Sequence, residues 1–370
     1  MGLVFLIAFT LSISLQLELP APGGPYTVGR TIFQWVDKSR PEVLTNDPND
    51  FREVMALIWY PAVPGTGTRA GYFPDLAAIS EQLVQSGEVA GWEAFGLRLI
   101  RSTFNLNAEP IKNQDAFPVV LLSPGNGTNI ELYSSLAGEI ASHGYIVVGL
   151  NHPYDVAAVE LSNGTVAPYD KEQWLRDAKA HQAYTAERIK VRTADVLFVL
   201  YQLKSVNIDS NNPLNGILDL NNTAITGHSL GGITASEACK ADARFKACLN
   251  FDGLQAGGPF SAAAAGTPPE QPFLFLTKES QLHPKLIEKF ETTSGSYWVV
   301  IHGASHESFT DGPQLQPSLL PLPNQADRIM TLIQTYTLAF LDQTLKGQPA
   351  NLLSTSVDGQ AVSVKVFPFR

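Results

Sequence analysis

From Phe117 onward the sequence alternates apolar runs of strand length with helical stretches. "FPVVLLS" precedes "NIELYSSLAGEIASHG", "YIVVGLN" precedes "AERIKVRTADVLFVLYQLKS" after an insertion, and "TAITGHS" precedes "LGGITASEACKA". "FKACLNFD", "PFLFLTK" and "SYWVVIHG" follow, and "QADRIMTLIQTYTLAFLDQTL" reads as a closing helix. Strands that are apolar almost throughout meet water on neither face. They belong to a parallel sheet with helices on both sides. Right-handed crossovers leave few other ways to join such units. The pattern predicts an α/β fold, with the earlier runs "RTIFQW" and "EVMALIWYPA" adding strands ahead of the alternating part.

The chain has 370 residues, 44% of them hydrophobic and 16% charged, enough for a large core. One domain is expected over residues 21–370, entered through the Pro/Gly-rich "PAPGGP". Residues 1–20, "MGLVFLIAFTLSISLQLELP", carry no charged side chain before Glu18. They read as an export or anchoring segment, although a basic leader and an A-x-A site are missing. The competing reading is a buried N-terminal strand or helix. An extracytoplasmic protein, secreted or anchored, is the expectation. The net charge of -10, with no basic run, argues against a nucleic-acid partner. It also argues against strong electrostatic capture by anionic membranes. Cys239 and Cys248 belong to no C-x-x-C pair or Cys/His cluster, so no zinc site is implied, and both are expected as free core residues.

Gly227-His228-Ser229-Leu230-Gly231 matches G-x-S-x-G. The pattern alone is weak, since a chain of this length holds a chance copy roughly one time in ten. Its context is stronger: "TAIT" supplies a strand before it and "ITASEAC" a helix after it. A nucleophilic serine on a sharp strand-to-helix turn needs that setting, with Gly227 and Gly231 keeping the turn free of side chains. A serine N-cap of an ordinary helix is the alternative. A hydroxyl needs a base to take its proton, and partners are expected downstream in the order acid, then histidine. Asp252 ends an apolar strand and is preferred over Asp242 in the charged "KADARFK". His306, in the loop "GASH", is preferred over His302 inside "WVVIHG" and over His283 in "KESQLHPK". His228 reads as a shaping residue of the turn, and His152, at another strand end, as a candidate pocket residue. An oxyanion would take the N–H of Leu230 and one from the loop "LLSPGNG", with Asn126 ahead of Gly125. Asn126-Gly127-Thr128 is also a glycosylation sequon, read as fortuitous because a glycan there would block the site.

Two insertions stand out. Residues 72–114 are expected to hold one or two amphipathic helices, and residues 153–180 a polar connection, as lids or binding loops. Trp92, Phe95 and Phe104 are candidates for lining an acyl pocket or touching lipid, against ordinary helix-to-sheet packing.

"FPVVLLSPGNG", "LASHGYIVVGLNHPYD", "GHSLGG", "NFDG" and "IHGASHESFTD", in this order, resemble the platelet-activating factor acetylhydrolase family of α/β-hydrolases, as does the opening "GPYTVGRTIFQWVDKSRPE". The match is closest to its bacterial and fungal members of the plasma type and covers roughly residues 24–345. Ser-Pro-Gly-Asn stands where the better-known animal members have a His-Gly stretch. The resemblance implies an α/β-hydrolase fold with helical lid insertions. It also implies calcium-independent hydrolysis of short or oxidised sn-2 acyl esters of phospholipids, contact with a membrane surface, and no metal or organic cofactor. Carried over by motif, Ser229 is the nucleophile, Asp252 the acid, His306 the base, and Leu230 and Asn126 the oxyanion donors. The rival expectations are a general carboxylesterase or polyester hydrolase, and a lipid-binding module whose triad is unused. Oligomeric state is left open.

Overall fold

The strand and helix runs take their expected places in the computed structural model. It describes residues 19–85, 90–91, 96–112, 115–170, 178–253, 269–279, 295–315, 325–354 and 357–367. The strands are β1 (Thr27–Pro41), β2 (Phe51–Ala62), β3 (Thr68–Gly71), β4 (Arg101–Leu106), β5 (Phe117–Ser123), β6 (Ile146–Asn151), β7 (Ala158–Glu160), β8 (Val166–Pro168), β9 (Leu218–His228), β10 (Phe245–Phe251), β11 (Phe273–Thr277), β12 (Ser296–Ile301), β13 (Val357–Asp358) and β14 (Val362–Phe367). The principal helices are α1 (Leu76–Gln85), α2 (Ser134–Ser142), α3 (Ala178–Ile208), α4 (Leu230–Ala241) and α5 (Gln325–Leu345).

Among the described residues twelve strands form one sheet, in the order β13-β14-β12-β11-β10-β9-β5-β6-β2-β1-β4-β3. From β6 through β5, β9, β10 and β11 to β12 every pairing is parallel. Antiparallel β2 joins one side of this block and β14 the other. Each parallel strand divides its residues between two cores. Val120 and Leu122 of β5 pack with Leu136 and Ile140 of α2 and Ile333 and Phe340 of α5. Val119 and Leu121 pack on the opposite face with Val196, Val199 and Leu203 of α3 and Ile233 of α4. The alternation follows from the two-residue period of a strand. It makes this an α/β-hydrolase fold, as expected.

The chain runs outward from β5 to β6, then returns through α3 to β9 on the other side of β5. The sequence order of the strands therefore reverses between β5 and β9. Loops leaving the C-terminal ends of two such strands part from each other and open a crevice. The loop after β5 and the turn after β9 both lie there.

Three expectations need correction. The insertion 72–114 contains the helix α1, but its later part is the strand β4, paired with β1 and β3. Phe104 on β4 is 1% exposed and meets Trp59 edge-on at 6.5 Å. Its ring belongs to the core, in agreement with the packing alternative and not with an acyl pocket, because an aromatic side chain on a half-covered strand finds most apolar contact there. The polar connection 153–180 carries the hairpin β7–β8. Cys239 and Cys248 are not free: they form a disulfide, with Cα atoms 6.4 Å apart. One lies near the end of α4 and the other on β10, and the short turn between them folds the strand back along the helix. Cys239→Ala with Cys248→Ala is expected to lower stability by roughly 2–3 kcal/mol, the loop-closure entropy of so short a ring. A urea midpoint unchanged from wild type, at constant slope, would contradict this.

Candidate active site

Strand β9 ends at His228 and α4 begins at Leu230, so the whole turn is made by Ser229. Its backbone sits at φ 54° and ψ -119°, in the left-handed half of conformational space. A non-glycine residue there is strained by about 1–3 kcal/mol and persists only where its surroundings hold it. They do so closely. A Cβ on Gly227 would lie 2.1 Å from the Gly231 carbonyl oxygen, and one on Gly231 would lie 2.0 Å from that of Ser123. The turn is pinned to the neighbouring strand by Ser229 N–H donating to Phe251 O at 2.9 Å.

Asp252 follows the last residue of β10, also at positive φ (52°), and its N–H donates to Leu276 O at 2.9 Å. Its carboxylate is fully buried, with Oδ2 2.6 Å from His306 Nδ1. Lys278 adds a backbone N–H at 3.4 Å to Oδ1, and its ammonium lies 4.0 Å from Oδ2. His306 opens a 3-10 turn, His306–Phe309, just past β12. Its side chain is 36% exposed, so one ring nitrogen faces the buried acid while the ring stays reachable. Its ring centroid is 4.5 Å from that of His228, beside the Ser229 turn. No hydrogen bond reaches Ser229 Oγ among the described residues. Such contacts commonly close only once substrate is bound.

Leu230 opens α4, where the first N–H groups have no partner within the helix and the helix dipole favours negative charge. In the loop after β5, Gly125 N–H donates to Tyr133 Oη (2.9 Å), Gly127 N–H to Asp155 O (2.8 Å) and Thr128 N–H to Gly125 O (3.4 Å). No acceptor among the described residues takes the N–H of Asn126. The runner-up Gly125 is thus committed elsewhere, and Asn126 is not. The Asn126 amide donates to the Tyr169 hydroxyl.

The remaining candidates fall elsewhere. His152 does not line a pocket: it is 0% exposed, with Nε2 3.0 Å from Ser123 Oγ and Nδ1 2.8 Å from Asp195 Oδ2. Burial, then the neighbouring Arg192, push its pKa down to about 4, so it is a neutral structural imidazole. Both nitrogens of His302 are occupied, Nδ1 by Glu279 (2.9 Å) and Nε2 by Ser363 (2.8 Å). Asp242 pairs with Arg244 at 2.6 Å, past the far end of α4. Trp92, Phe95 and His283 lie outside the described residues.

Sequence reasoning missed the layer beneath the site. Arg192 of α3 is fully buried and donates to Pro124 O at 2.7 Å, holding the loop that contains Asn126. Arg188 pairs with Asp155 at 2.8 Å, and the Asp155 carbonyl receives Gly127 N–H. Arg52 bridges Asp195 (2.7 Å) and Glu42 (2.9 Å). One signal was present: Ile189, Arg192, Val196, Val199 and Leu203 follow helical spacing, so an arginine interrupts the buried stripe of α3.

Asp311, five residues beyond His306, fastens the loop that carries it. It is fully buried, accepts Tyr72 O–H at 2.9 Å and Ser135 N–H at 3.2 Å, and its own N–H donates to Leu132 O. Burial pushes its pKa up to about 7. An unfolded aspartate titrates near 4, so between about pH 4 and 7 the folded chain holds a proton that the unfolded chain has lost. This contribution to stability is present below pH 4 and is lost as pH rises through 7. Asp311→Asn lacks that loss. Its stability relative to wild type is expected to improve by on the order of 3 kcal/mol between pH 4.5 and 8. A difference that stays constant across urea melts in that range would refute the assignment.

The sheet, the strained turn after β9 and the carboxylate–imidazole pair at the same edge define the α/β-hydrolase class. Within it, the chain belongs to the family described as platelet-activating factor acetylhydrolase, isoform II, whose family model matches residues 11–351, and with it to the carboxylic ester hydrolases. It is 28% identical over 278 residues to a probable 1-alkyl-2-acetylglycerophosphocholine esterase of Arthroderma benhamiae, covering 72% of this chain and 67% of that one. It is 27% identical over 363 residues to the platelet-activating factor acetylhydrolase of Cavia porcellus, covering 88% and 78%. Among solved structures, a ferulic acid esterase from Streptomyces cinnamoneus superposes with a TM-score of 0.70 at 24% identity, covering 94% of this chain and 98% of that one, a likeness of fold.

Proposed function

We propose that the protein is a serine esterase that hydrolyses short or oxidised sn-2 acyl esters of phospholipids. The observation that carries this reading is the 2.6 Å contact between the buried Asp252 and the accessible His306, at the sheet edge where Ser229 is held in a strained turn. His306 Nε2 takes the Ser229 proton as Oγ attacks the ester carbonyl carbon, and Asp252 holds the imidazolium that forms. The oxyanion is held by the N–H groups of Leu230 and Asn126. When the carbon–oxygen bond breaks, the alcohol leaves with the proton from His306. Water then cleaves the acyl-enzyme by the same sequence, and no cofactor takes part.

The substrate class rests on the family and on the names of the relatives from Arthroderma benhamiae and Cavia porcellus. An extracytoplasmic location is supported by the Cys239–Cys248 disulfide, which an oxidising compartment preserves. The apolar start of the sequence agrees with it, and among the described residues no helix is long and apolar enough to cross a membrane.

The test compares three esters under one set of conditions: an sn-2 acetyl glycerophosphocholine, its long-chain sn-2 counterpart and p-nitrophenyl acetate. The expected kcat/KM for the acetyl phospholipid exceeds that for the long-chain one by about tenfold or more. Turnover of p-nitrophenyl acetate alone would make the protein a general carboxylesterase or polyester hydrolase. No turnover, with no fluorophosphonate labelling of Ser229, would make it a lipid-binding module.

A further inference from the structure

We infer that Tyr133 and His228 form a strut that fixes the spacing between the oxyanion loop and the base loop, and that His228 serves in it only as the neutral tautomer protonated at Nε2. This rests on the reading of Ser229, His306 and Asn126 given above and assigns two positioning residues to it.

The Tyr133 hydroxyl is fully buried and has two neighbours: Gly125 N–H at 2.9 Å and His228 Nδ1 at 2.8 Å. A phenol owns one proton. Its oxygen accepts from Gly125, whose N–H can only donate, so its proton goes to His228 Nδ1. That nitrogen therefore carries no hydrogen, and the neutral ring bears its proton on Nε2. The opposite arrangement would leave both the phenol proton and the Nε2 lone pair buried without a partner, whereas this one leaves only the Nε2 proton, which no acceptor among the described residues takes. His228 itself is 2% exposed. Its ring stacks on Phe309 at 5.6 Å, and Phe309 stacks on Phe251 at 6.0 Å. His306, 4.5 Å away, is the titratable group that bears on it, and burial and that neighbour both disfavour a charge on His228. Glu307, Arg192 and Asp311 are the charged groups that bear on the Tyr133 phenol.

One imidazole of this adjacent pair must become cationic during the reaction, and a second cation beside it would oppose that step. Tyr133 removes the alternative by occupying the His228 lone pair. The same hydroxyl holds Gly125, next to the donor Asn126. There is no room to spare around the contact: a Cβ on Gly125 would lie 3.2 Å from His228 Nδ1 and 3.3 Å from Tyr133 Oη.

The experiment uses the full chain with 15N-labelled histidine. The protein has seven histidines, and the His228 signals are identified by their loss in His228→Asn. In the wild type, two-bond proton–nitrogen correlations are expected to show His228 protonated at Nε2 alone from pH 5.5 to 8. A ring protonated at Nδ1, or one that titrates in that range, overturns the inference without reference to activity. In Tyr133→Phe, mixed tautomers are expected. The expected kcat on p-nitrophenyl acetate falls about 10–100-fold, the range for a small displacement of catalytic groups, with KM within about twofold of wild type. A kcat within about twofold of wild type in a folded Tyr133→Phe protein also overturns it. If that variant does not fold, the wild-type spectrum alone decides. Full activity in Ser229→Ala would instead remove the serine esterase reading, and the tautomer measurement separates the two failures.

Discussion

Ser229→Ala is expected to lower esterase turnover by about 10⁴-fold or more and to abolish labelling by a fluorophosphonate. The methyl group of alanine fits where the serine Cβ already sits, at the same φ of 54°, so the turn is as strained as before and the fold is retained. What disappears is the atom that forms the acyl-enzyme in the proposed mechanism. The proposed oxyanion donors and the binding surface remain, and a residual rate above that of water is expected from them. KM is expected to change little, because the hydroxyl contributes to the transition state far more than to substrate binding. A purified, folded Ser229→Ala protein with turnover near that of the wild type would remove the nucleophile from the mechanism.

Asp252→Asn is expected to cost about 10³–10⁴-fold in kcat while leaving the fold intact. The carboxylate Oδ2 lies 2.6 Å from His306 Nδ1, and in the proposed mechanism that contact holds the ring with its other nitrogen free to take the serine proton. An amide at that place turns its NH₂ or its carbonyl toward the ring. In the first case Nδ1 must become the acceptor, Nε2 carries the proton, and the base is lost. In the second the tautomer survives, but the imidazolium that forms has no anion behind it. The substitution also removes a negative charge with 0% exposure that lies 4.0 Å from the Lys278 ammonium. Steady-state kinetics of the folded variant check this. A loss of less than about tenfold would move the acid elsewhere, with Glu307, the residue after His306, the first place to look.

The succession of strands along the chain and their parallel sheet were legible because they follow from hydrophobic pattern. The parallel strands β5, β6 and β9 to β12 are apolar nearly throughout, and α5 spans the residues its periodicity marked. The Gly-x-Ser-x-Gly turn was legible for a steric reason, since only glycine fits at positions whose Cβ would lie about 2 Å from a carbonyl oxygen. Asp252 and His306 could be read from their places just past two strand ends, and the structure sets them in contact. The disulfide was not legible, because spacing along the chain does not say whether a helix and the next strand lie back to back. β4 was hidden inside a segment with helical composition, and it exists because the free edge of β1 offers Gly29 and Arg30 for pairing. Tyr133, Arg192 and the Arg188–Asp155 pair belong to no motif. They act through backbone carbonyls and N–H groups, whose positions no side-chain pattern records. His152 illustrates the reverse: a histidine at a strand end looks like a pocket residue until the arginine–aspartate network beneath it is seen.

The hydrogen bond from Tyr72 to Asp311 joins the first residue of the inserted segment to the loop that presents His306. Natural divergence and laboratory chimaeras alike often trade such surface insertions to alter what an enzyme accepts. Here the seam for an exchange falls after Tyr72. A transplant that replaced this tyrosine would strip a buried carboxyl of one of its donors and loosen the imidazole's mooring, so a change meant for selectivity would register first as a slower catalyst.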